Sequence, residues 1–86
     1  MGSISDIVNE LHSVAERVTS HTEGLERARE EILEVRNKVH GKFGDDENGR
    51  SVAMAMDMAS DAILTADGIL YTLKAEIQEY IGNLKK

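Results

Sequence analysis

Three histidines and two groups of acidic residues are the side chains with the most potential for chemistry in this chain of 86 residues. His12, His21 and His40 are too far apart to act as the paired ligands of a zinc-binding helix, which lie one turn apart. Asp57 and Asp61 are one turn apart and could touch a divalent cation. Because such cations take six or more oxygen ligands from a shaped loop, the spacing favours a solvated helix face over a metal site.

The acidic segment Asp45-Asp46-Glu47-Asn48 has the composition of a calcium-binding loop, but neither its spacing nor its closing bidentate glutamate. Capping and turn formation are therefore the predicted roles. The chain also lacks the strand–turn–helix that presents a nucleophile and the glycine-rich loop that holds phosphate. We therefore expect no catalytic residue, no metal and no cofactor, and a protein that is not an enzyme.

Two apolar repeats with alternating steps of three and four residues must position these side chains. The first repeat consists of Ile4, Ile7, Leu11, Val14, Val18, His21, Leu25, Ala28, Ile32, Val35 and Val39. The second consists of Val52, Met56, Ala59, Ile63, Ala66, Leu70, Leu73, Ile77, Tyr80 and Leu84. Such spacing keeps one stripe of each helix facing a single neighbour. We predict an all-α fold, an antiparallel two-helix hairpin, in a single domain 1–86 with helix 1 at about 4–40, a loop at about 41–48 and helix 2 at about 49–84.

The two repeats complement each other when they are paired in antiparallel register. Large residues then meet small ones in the central layers, which favours an intramolecular hairpin over one continuous rod. These layers are Ile32/Ala59, Ala28/Ile63 and Leu25/Ala66. His21 lies opposite Leu70, either as a pH-sensitive switch or partner contact, or as a polar residue that fixes the register. The second interpretation is favoured because no other element is evident that its titration would bias.

Local signals mark the helix ends. Ser3 and Asp6 form a weakened capping box, with aspartate in place of the usual glutamate or glutamine. Gly41 has the position of a left-handed C-terminal cap. Poor helix formers at 19–24 predict a bend or looser packing without a break. Phe43 is predicted to fold back over the end of the hairpin, and the alternative is an exposed docking residue.

Composition argues against several classes of function. The chain has no cysteine for disulfides or thiolate metal sites, and no proline to kink a helix. A formal net charge of −6 and only one Phe and two Tyr oppose binding to nucleic acid and to anionic lipid. No apolar run is long enough to span a membrane, and no secretory signal peptide of the usual kind opens the chain.

Helix 2 carries a second apolar stripe beside the first, and it has no lysine or arginine from 51 to 73. A helix that is apolar on more than one face is buried on more than one face. Because the core of a lone hairpin is marginal, we expect a homodimer or heterodimer with another helical hairpin, as a four-helix bundle. The predicted partner interface consists of Ala55, Met58, Ala62 and Ile69.

The turn Phe43-Gly44-Asp45-Asp46-Glu47-Asn48-Gly49-Arg50, within a hairpin of this size, resembles the small WxG-type helical proteins of Gram-positive type VII secretion. Many actinobacterial relatives carry a GDDE-x-G turn preceded by an aromatic residue. The corresponding residues here are Phe43, Gly44, Asp45, Asp46, Glu47 and Gly49. The resemblance implies a bundle of two hairpins. It also implies export by a route independent of a signal peptide, or a role as companion of a larger exported effector such as a toxin.

Two departures from the family pattern matter. Phe43 replaces the defining tryptophan and is followed directly by Gly44. The export signal of the family is a tyrosine with an acidic residue four places later, but here Leu84 follows Tyr80 and Ala75 follows Tyr71 at that distance. Either a partner supplies the signal, or the protein stays in the cytoplasm as a companion. The alternatives to a secretion role are a coiled-coil adaptor and a small immunity-type protein.

Overall fold

The computed structural model describes residues 3–84, which form two long α-helices. α1 spans Ile4–Phe43 and α2 spans Glu47–Leu84, and they pack antiparallel in a rod with extents of 61 × 18 × 15 Å. This confirms the all-α hairpin, while the pairing of two hairpins remains a prediction. α1 continues past its predicted end near residue 40 and α2 begins before 49, so the connection is limited to residues 44–46.

The N-terminus of α1 is closed by the predicted capping box. The Asp6 backbone N–H donates to Ser3 Oγ at 3.1 Å, and the Ser3 N–H donates to Asp6 Oδ2 at 3.4 Å. α1 then runs through the poor helix formers at 19–24 without a break. The hydroxyls of Thr19 and Thr22 donate to carbonyls of the preceding turn at 3.4 and 2.9 Å, which lets these polar side chains lie inside a helix contact.

The C-terminal cap of α1 is Gly44 rather than Gly41, which lies inside the helix. Gly44 has φ −63° and ψ −22°, so the prediction of a left-handed cap is wrong. A Cβ at Gly44 would overlap the backbone carbonyl of His40. Glycine is needed at this end for close approach of the backbone rather than for a positive φ.

A hydrogen-bonded turn joins the helices. The Asp46 N–H donates to the Phe43 carbonyl at 3.0 Å. Arg50 Nη1 donates to the two carbonyls that follow α1, at 3.4 and 3.3 Å. Gly49, buried in the first turn of α2, lies so close to Phe43 that a Cβ would overlap the Phe43 carbonyl oxygen. The two glycines of the turn are therefore explained by the tight reversal of the chain.

Of the two columns of contact residues predicted on each helix, the structure uses one and replaces the other with a neighbouring column. The correctly predicted positions, here called the shared column, are Leu11, Val18, Leu25, Ile32 and Val39 on α1 and Met56, Ile63, Leu70, Ile77 and Leu84 on α2. The other buried or half-buried column consists of Val8, Ala15, Thr22, Arg29 and Arg36 on α1 and Ala53, Ser60, Asp67, Lys74 and Ile81 on α2. For each of these ten contact positions, the sequence analysis predicted the residue that comes one place earlier in the chain. That prediction is wrong, because most of those residues are exposed.

The displacement has a physical reason. Both candidate columns continue the shared column in steps of three and four residues, so periodicity alone does not choose between them. Small residues occur in both columns, but the column in use also brings Arg36 to Asp57 and Lys74 to Thr19, which are polar contacts between the helices. Thirteen large apolar side chains within residues 3–84 are exposed outside the contact between α1 and α2.

Candidate functional site

One long side of the hairpin, here called the polar side, carries polar contacts between the helices. Arg36 Nη2 donates to Asp57 Oδ2 at 3.1 Å. Arg36 Nε lies 3.0 Å from Asp57 Oδ1 as an ion-pair contact without hydrogen-bond alignment. Farther from the turn, Lys74 Nζ donates to Thr19 Oγ1 at 2.6 Å. These contacts join α1 to α2 along this side, where Leu64 and Tyr71 are also exposed.

The opposite long side, here called the apolar face, holds the column that was predicted to be buried. In an antiparallel pair, residues three places after the shared column lie on the same side of both helices. The face consists of Ile7, Val14, His21, Ala28 and Val35 on α1 and Val52, Ala59, Ala66, Leu73 and Tyr80 on α2. Its six large apolar side chains are between 38% and 54% exposed. Both helices therefore contribute to one apolar surface.

The predicted interface residues extend the apolar face around α2. Ala55, Ala62 and Ile69 form the adjoining column, and Met58 lies one column further round. All four are exposed, with Ile69 at 64% and Met58 at 70%. Their contact with a partner stays a prediction, but their position makes them continuous with Leu73 and its column.

The middle of α2 brings no charge to the apolar face. Its charged residues between 51 and 73 are Asp57, Asp61 and Asp67. Asp57 pairs with Arg36, Asp67 is buried against α1, and Asp61 is on the outer surface of α2. A partner could cover this stretch without desolvating an unpaired charge.

Three polar residues are buried in the contact between the helices. Thr22 is 1% exposed, Ser60 2% and Asp67 8%. Ser60 Oγ and Asp67 Oδ1 have no hydrogen-bond partner within residues 3–84. Burial raises the pKa of the Asp67 carboxyl, and the negative charge of Glu26 raises it further. Glu26 also accepts a hydrogen bond from Tyr71 Oη at 3.1 Å. The three buried residues Thr22, Ser60 and Asp67 are here called the polar centre. Because they bury polar atoms between the helices, they weaken the core of the single hairpin.

The polar centre was missed because the predicted register placed His21 and Ala66 where Thr22 and Asp67 lie. His21 is exposed, so its predicted place opposite Leu70 is wrong. The available signal was the combination of poor helix formers at 19–24 with Asp67, the charged residue that the predicted pairing places opposite them on helix 2. That signal was interpreted as looser packing alone.

Two grooves lie on the polar side of the hairpin. The first, of about 290 Å³, is lined by Glu26, Arg29, Glu30, Ile63, Leu64 and Asp67. The second, of about 220 Å³, is lined by His12, Ala15, Glu16, Thr19, Lys74 and Gln78. Within residues 3–84, no three His, Asp or Glu side chains are grouped so as to hold a metal ion. The first groove is lined by three carboxyl groups, and its lining includes no Ser, Thr or Lys side chain that could act as a nucleophile.

The predicted loop motif forms the turn end of the rod. Phe43 is 55% exposed, so the prediction that it covers the end of the hairpin is wrong. Asp45, Asp46 and Glu47 are also exposed. The aromatic ring and three carboxylates are thus presented together at one end of the molecule, where a second protein could reach them.

Comparison of the chain with protein-family models, with curated proteins and with solved structures finds no match. Neither α1 nor α2, as described over residues 3–84, combines the length and apolarity that crossing a membrane requires.

Proposed function

We propose that this protein is a non-enzymatic binding module whose apolar face pairs with another helical hairpin to form a four-helix bundle. The observation that carries the proposal is the continuous apolar surface contributed by both helices. Exposed apolar patches of this extent mark sites of protein interaction. Helical hairpins cover such a surface most simply with a second hairpin, because helix packs against helix along the full length.

The balance of buried and exposed residues supports a bundle. The buried apolar residues are Val8, Ala15, Val18, Ala53, Ile77 and Ile81. Thirteen large apolar residues between 3 and 84 are exposed. The polar centre weakens the existing contact further. A second hairpin would therefore supply much of the core that one hairpin lacks.

The dimensions of the hairpin suit a stable interface. A rod 61 Å long and up to 18 Å across offers each partner a side of about 1,000 Å², and standard interfaces bury roughly 800 Å² per partner. The middle of α2 brings no charge to the apolar face and so adds little desolvation cost. Area and chemistry both favour pairing along the whole face.

The cellular role that we propose is that of a type VII secretion substrate or of a companion to a larger exported effector. The turn sequence and the hairpin support this role by resemblance. The exposed Phe43 is then a docking residue for the partner or the machinery. Because neither Tyr71 nor Tyr80 has an acidic residue four places later, the partner supplies the export signal.

Two charge substitutions on adjacent residues test the bundle. Ala62→Glu places a charge on the apolar face and should shift the protein from a multi-chain particle to a monomer in light scattering at micromolar concentration. Asp61→Lys, on the outer surface, is the control and should leave the particle unchanged. Equal behaviour of the two variants would contradict pairing through the apolar face.

The export role is tested in the native host by following the protein in the culture medium. Loss from the medium when the type VII ATPase is removed, or when the partner gene is deleted, supports the proposal. Continued export without the partner would contradict the shared signal. Absence from the medium in every strain would favour a cytoplasmic coiled-coil adaptor.

A further inference from the structure

We propose that the first groove on the polar side binds a guanidinium group, the head of an arginine side chain carried by a second protein. The groove lies between α1 and α2, on the side of the hairpin opposite the apolar face. Pairing through the apolar face would therefore leave it open. This inference goes beyond the proposed bundle and does not depend on it.

The groove carries more negative than positive charge. Its walls contain the carboxyl groups of Glu26, Glu30 and Asp67 and a single cation, Arg29. The two ion pairs formed within residues 3–84 lie elsewhere, so Arg29 is not within ion-pair distance of these carboxyl groups. Carboxylates that share a groove without a counter-ion give it a negative potential, which attracts a cation from outside.

Asp67 supplies an independent observation, because its side chain lacks a partner inside the hairpin. The residue is 8% exposed, and its Oδ1 accepts no hydrogen bond within residues 3–84. The hydroxyl of Thr22, which is also in the polar centre, donates to the Thr19 carbonyl at 2.9 Å instead. Most buried polar atoms have a partner. The terminal torsion of an aspartate is soft, so this carboxyl group can turn toward a donor in the groove.

The pKa of Asp67 agrees with the lack of a cation beside its carboxyl group. Burial raises this pKa, and the negative charge of Glu26 and a hydrogen bond with Glu26 raise it further. An adjacent cation would lower it instead. A cation in the groove would therefore favour the ionised form of Asp67 and offset its repulsion from Glu26.

Glu26 is held in position beside the groove. Its Oε1 accepts a hydrogen bond from Tyr71 Oη at 3.1 Å, which joins α1 to α2. A carboxylate has about four acceptor sites, so this contact leaves Glu26 able to accept from a ligand as well. A side chain that is already anchored loses less conformational freedom when a ligand binds.

The chemistry of the walls favours guanidinium over other cations. Over residues 3–84, no three His, Asp or Glu side chains are grouped to hold a metal ion. A guanidinium group has five N–H donors in one plane and can donate to two carboxylates at once, whereas an ammonium group is a compact, strongly hydrated charge. Ile63 and Leu64 form an apolar part of the wall, against which the methylene stem of an arginine can pack.

Size and surroundings favour an arginine that belongs to a protein. Pockets for drug-sized molecules begin at about 300 Å³, so a groove of about 290 Å³ suits a single side chain. Leu64 is 54% exposed and Tyr71 is 50% exposed, and both extend apolar surface beside the groove. The residues next to an arginine in a partner protein could cover this surface, whereas a free guanidinium compound could not.

An NMR titration of the full chain tests the site, with a tripeptide of leucine, arginine and leucine that is blocked at both ends as the probe. The amide signals of the groove residues should shift in a saturable manner. Citrulline in place of the arginine keeps the shape and removes the charge, so it should abolish the shifts, and lysine should bind more weakly. No saturable shift up to about 10 mM tripeptide, or equal affinity for the citrulline peptide, would overturn the guanidinium site.

Matched substitutions test the assigned walls. Asp67→Asn should weaken binding of the tripeptide by at least about tenfold, because a hydrogen bond to a charged group is lost. Glu30→Gln should weaken it about threefold, since this carboxylate is exposed. Glu31→Gln makes the same change on a neighbour that does not line the groove, and it should leave the Kd unchanged. Equal losses for Glu30→Gln and Glu31→Gln would indicate a general effect of net charge and overturn the site.

Two further measurements identify the occupant. Arg29→Gln removes a like charge and should strengthen binding, and binding seen only in this variant would overturn the open site, because Arg29 would then fill the groove itself. N-acetyl-argininamide should bind about tenfold more weakly than the tripeptide, since it lacks the flanking leucines. Equal affinity for the two probes would overturn the assignment to a protein side chain and indicate a free guanidinium compound.

The site and the bundle are tested by different measurements. Glu30→Gln should weaken peptide binding and leave the multi-chain particle in light scattering unchanged, whereas Ala62→Glu should disrupt the particle and leave the groove able to bind. Loss of the particle in Glu30→Gln would overturn a groove that is separate from the apolar face. Failure of peptide binding in a protein that still pairs would overturn this inference and keep the proposed function.

Discussion

Gly49→Ala should destabilise the protein, although alanine is the better helix former. Within a helix, the replacement of glycine by alanine gains about 1 kcal/mol from propensity. At Gly49 the new Cβ would overlap the Phe43 carbonyl oxygen, which also accepts the hydrogen bond from the Asp46 N–H. Relief requires the end of α1 and the start of α2 to separate, which breaks the backbone hydrogen bond of the turn and the close packing around it.

The net effect is a balance of these terms. Loss of the turn hydrogen bond and of tight packing costs about 3 kcal/mol, against a gain of about 1 kcal/mol from propensity. We expect a net loss of about 2 kcal/mol, which lowers the Tm of a domain of this size by roughly 8–16 °C.

Gly68→Ala is the matched control, because Gly68 also lies in α2 but a Cβ there would meet nothing within 4 Å. This change should raise the Tm by a few degrees, since only the propensity gain applies. Thermal unfolding followed by circular dichroism at one fixed protein concentration measures both. A Gly49→Ala variant as stable as Gly68→Ala would refute the close approach of the turn.

Four further substitutions address the core, the polar centre and the turn. Ile81→Ala should lower the free energy of unfolding in urea by about 2–4 kcal/mol, because Ile81 is 4% exposed. Tyr80→Ala, at a position 54% exposed, should change that free energy little and should mainly raise the Kd of the proposed pairing. A larger loss of stability for Tyr80→Ala than for Ile81→Ala would restore the predicted register. The raised pKa of Asp67 means that the folded protein holds this proton more tightly, so stability should fall as pH rises from the ordinary value of 3.8 through the raised pKa. Asp67→Asn should flatten that dependence and stabilise the protein at neutral pH, and an unchanged pH profile would rule out this origin. Phe43→Ala should change the Tm little and reduce binding of a partner, and a large loss of stability would show that the ring packs in the core.

The sequence alone determined the class of fold. Apolar residues at steps of three and four specify long helices, and a glycine-rich acidic segment between two such repeats specifies a reversal of the chain. The capping box at Ser3 was also evident, because its two hydrogen bonds depend only on local residues. The second apolar stripe on helix 2 was visible in the same way, although a partner for it is still a proposal.

The helix ends at the turn depended on close contacts that periodicity does not encode. α1 extends to Phe43 because Gly44 and Gly49 allow the two helices to approach beyond the expected cap. Spacing alone placed the cap at Gly41, where a glycine satisfies the usual pattern. Whether Gly41 or Gly44 ends α1 is decided by the path of the chain through the turn, which the local sequence does not specify.

Only the tertiary structure decided which columns meet. The apolar arc on each helix is wider than one contact, so the repeat locates the shared column and leaves two directions open beside it. Hydrophobicity favoured the column that includes Val14 and Leu73, but the helices use the column with Ala15, Thr22 and Asp67. The column in use supplies the contacts Arg36–Asp57 and Lys74–Thr19 between the helices, and thirteen large apolar residues of the described chain are left exposed. The periodicity of a single chain does not distinguish apolar residues that pack within the hairpin from those that stay on its surface.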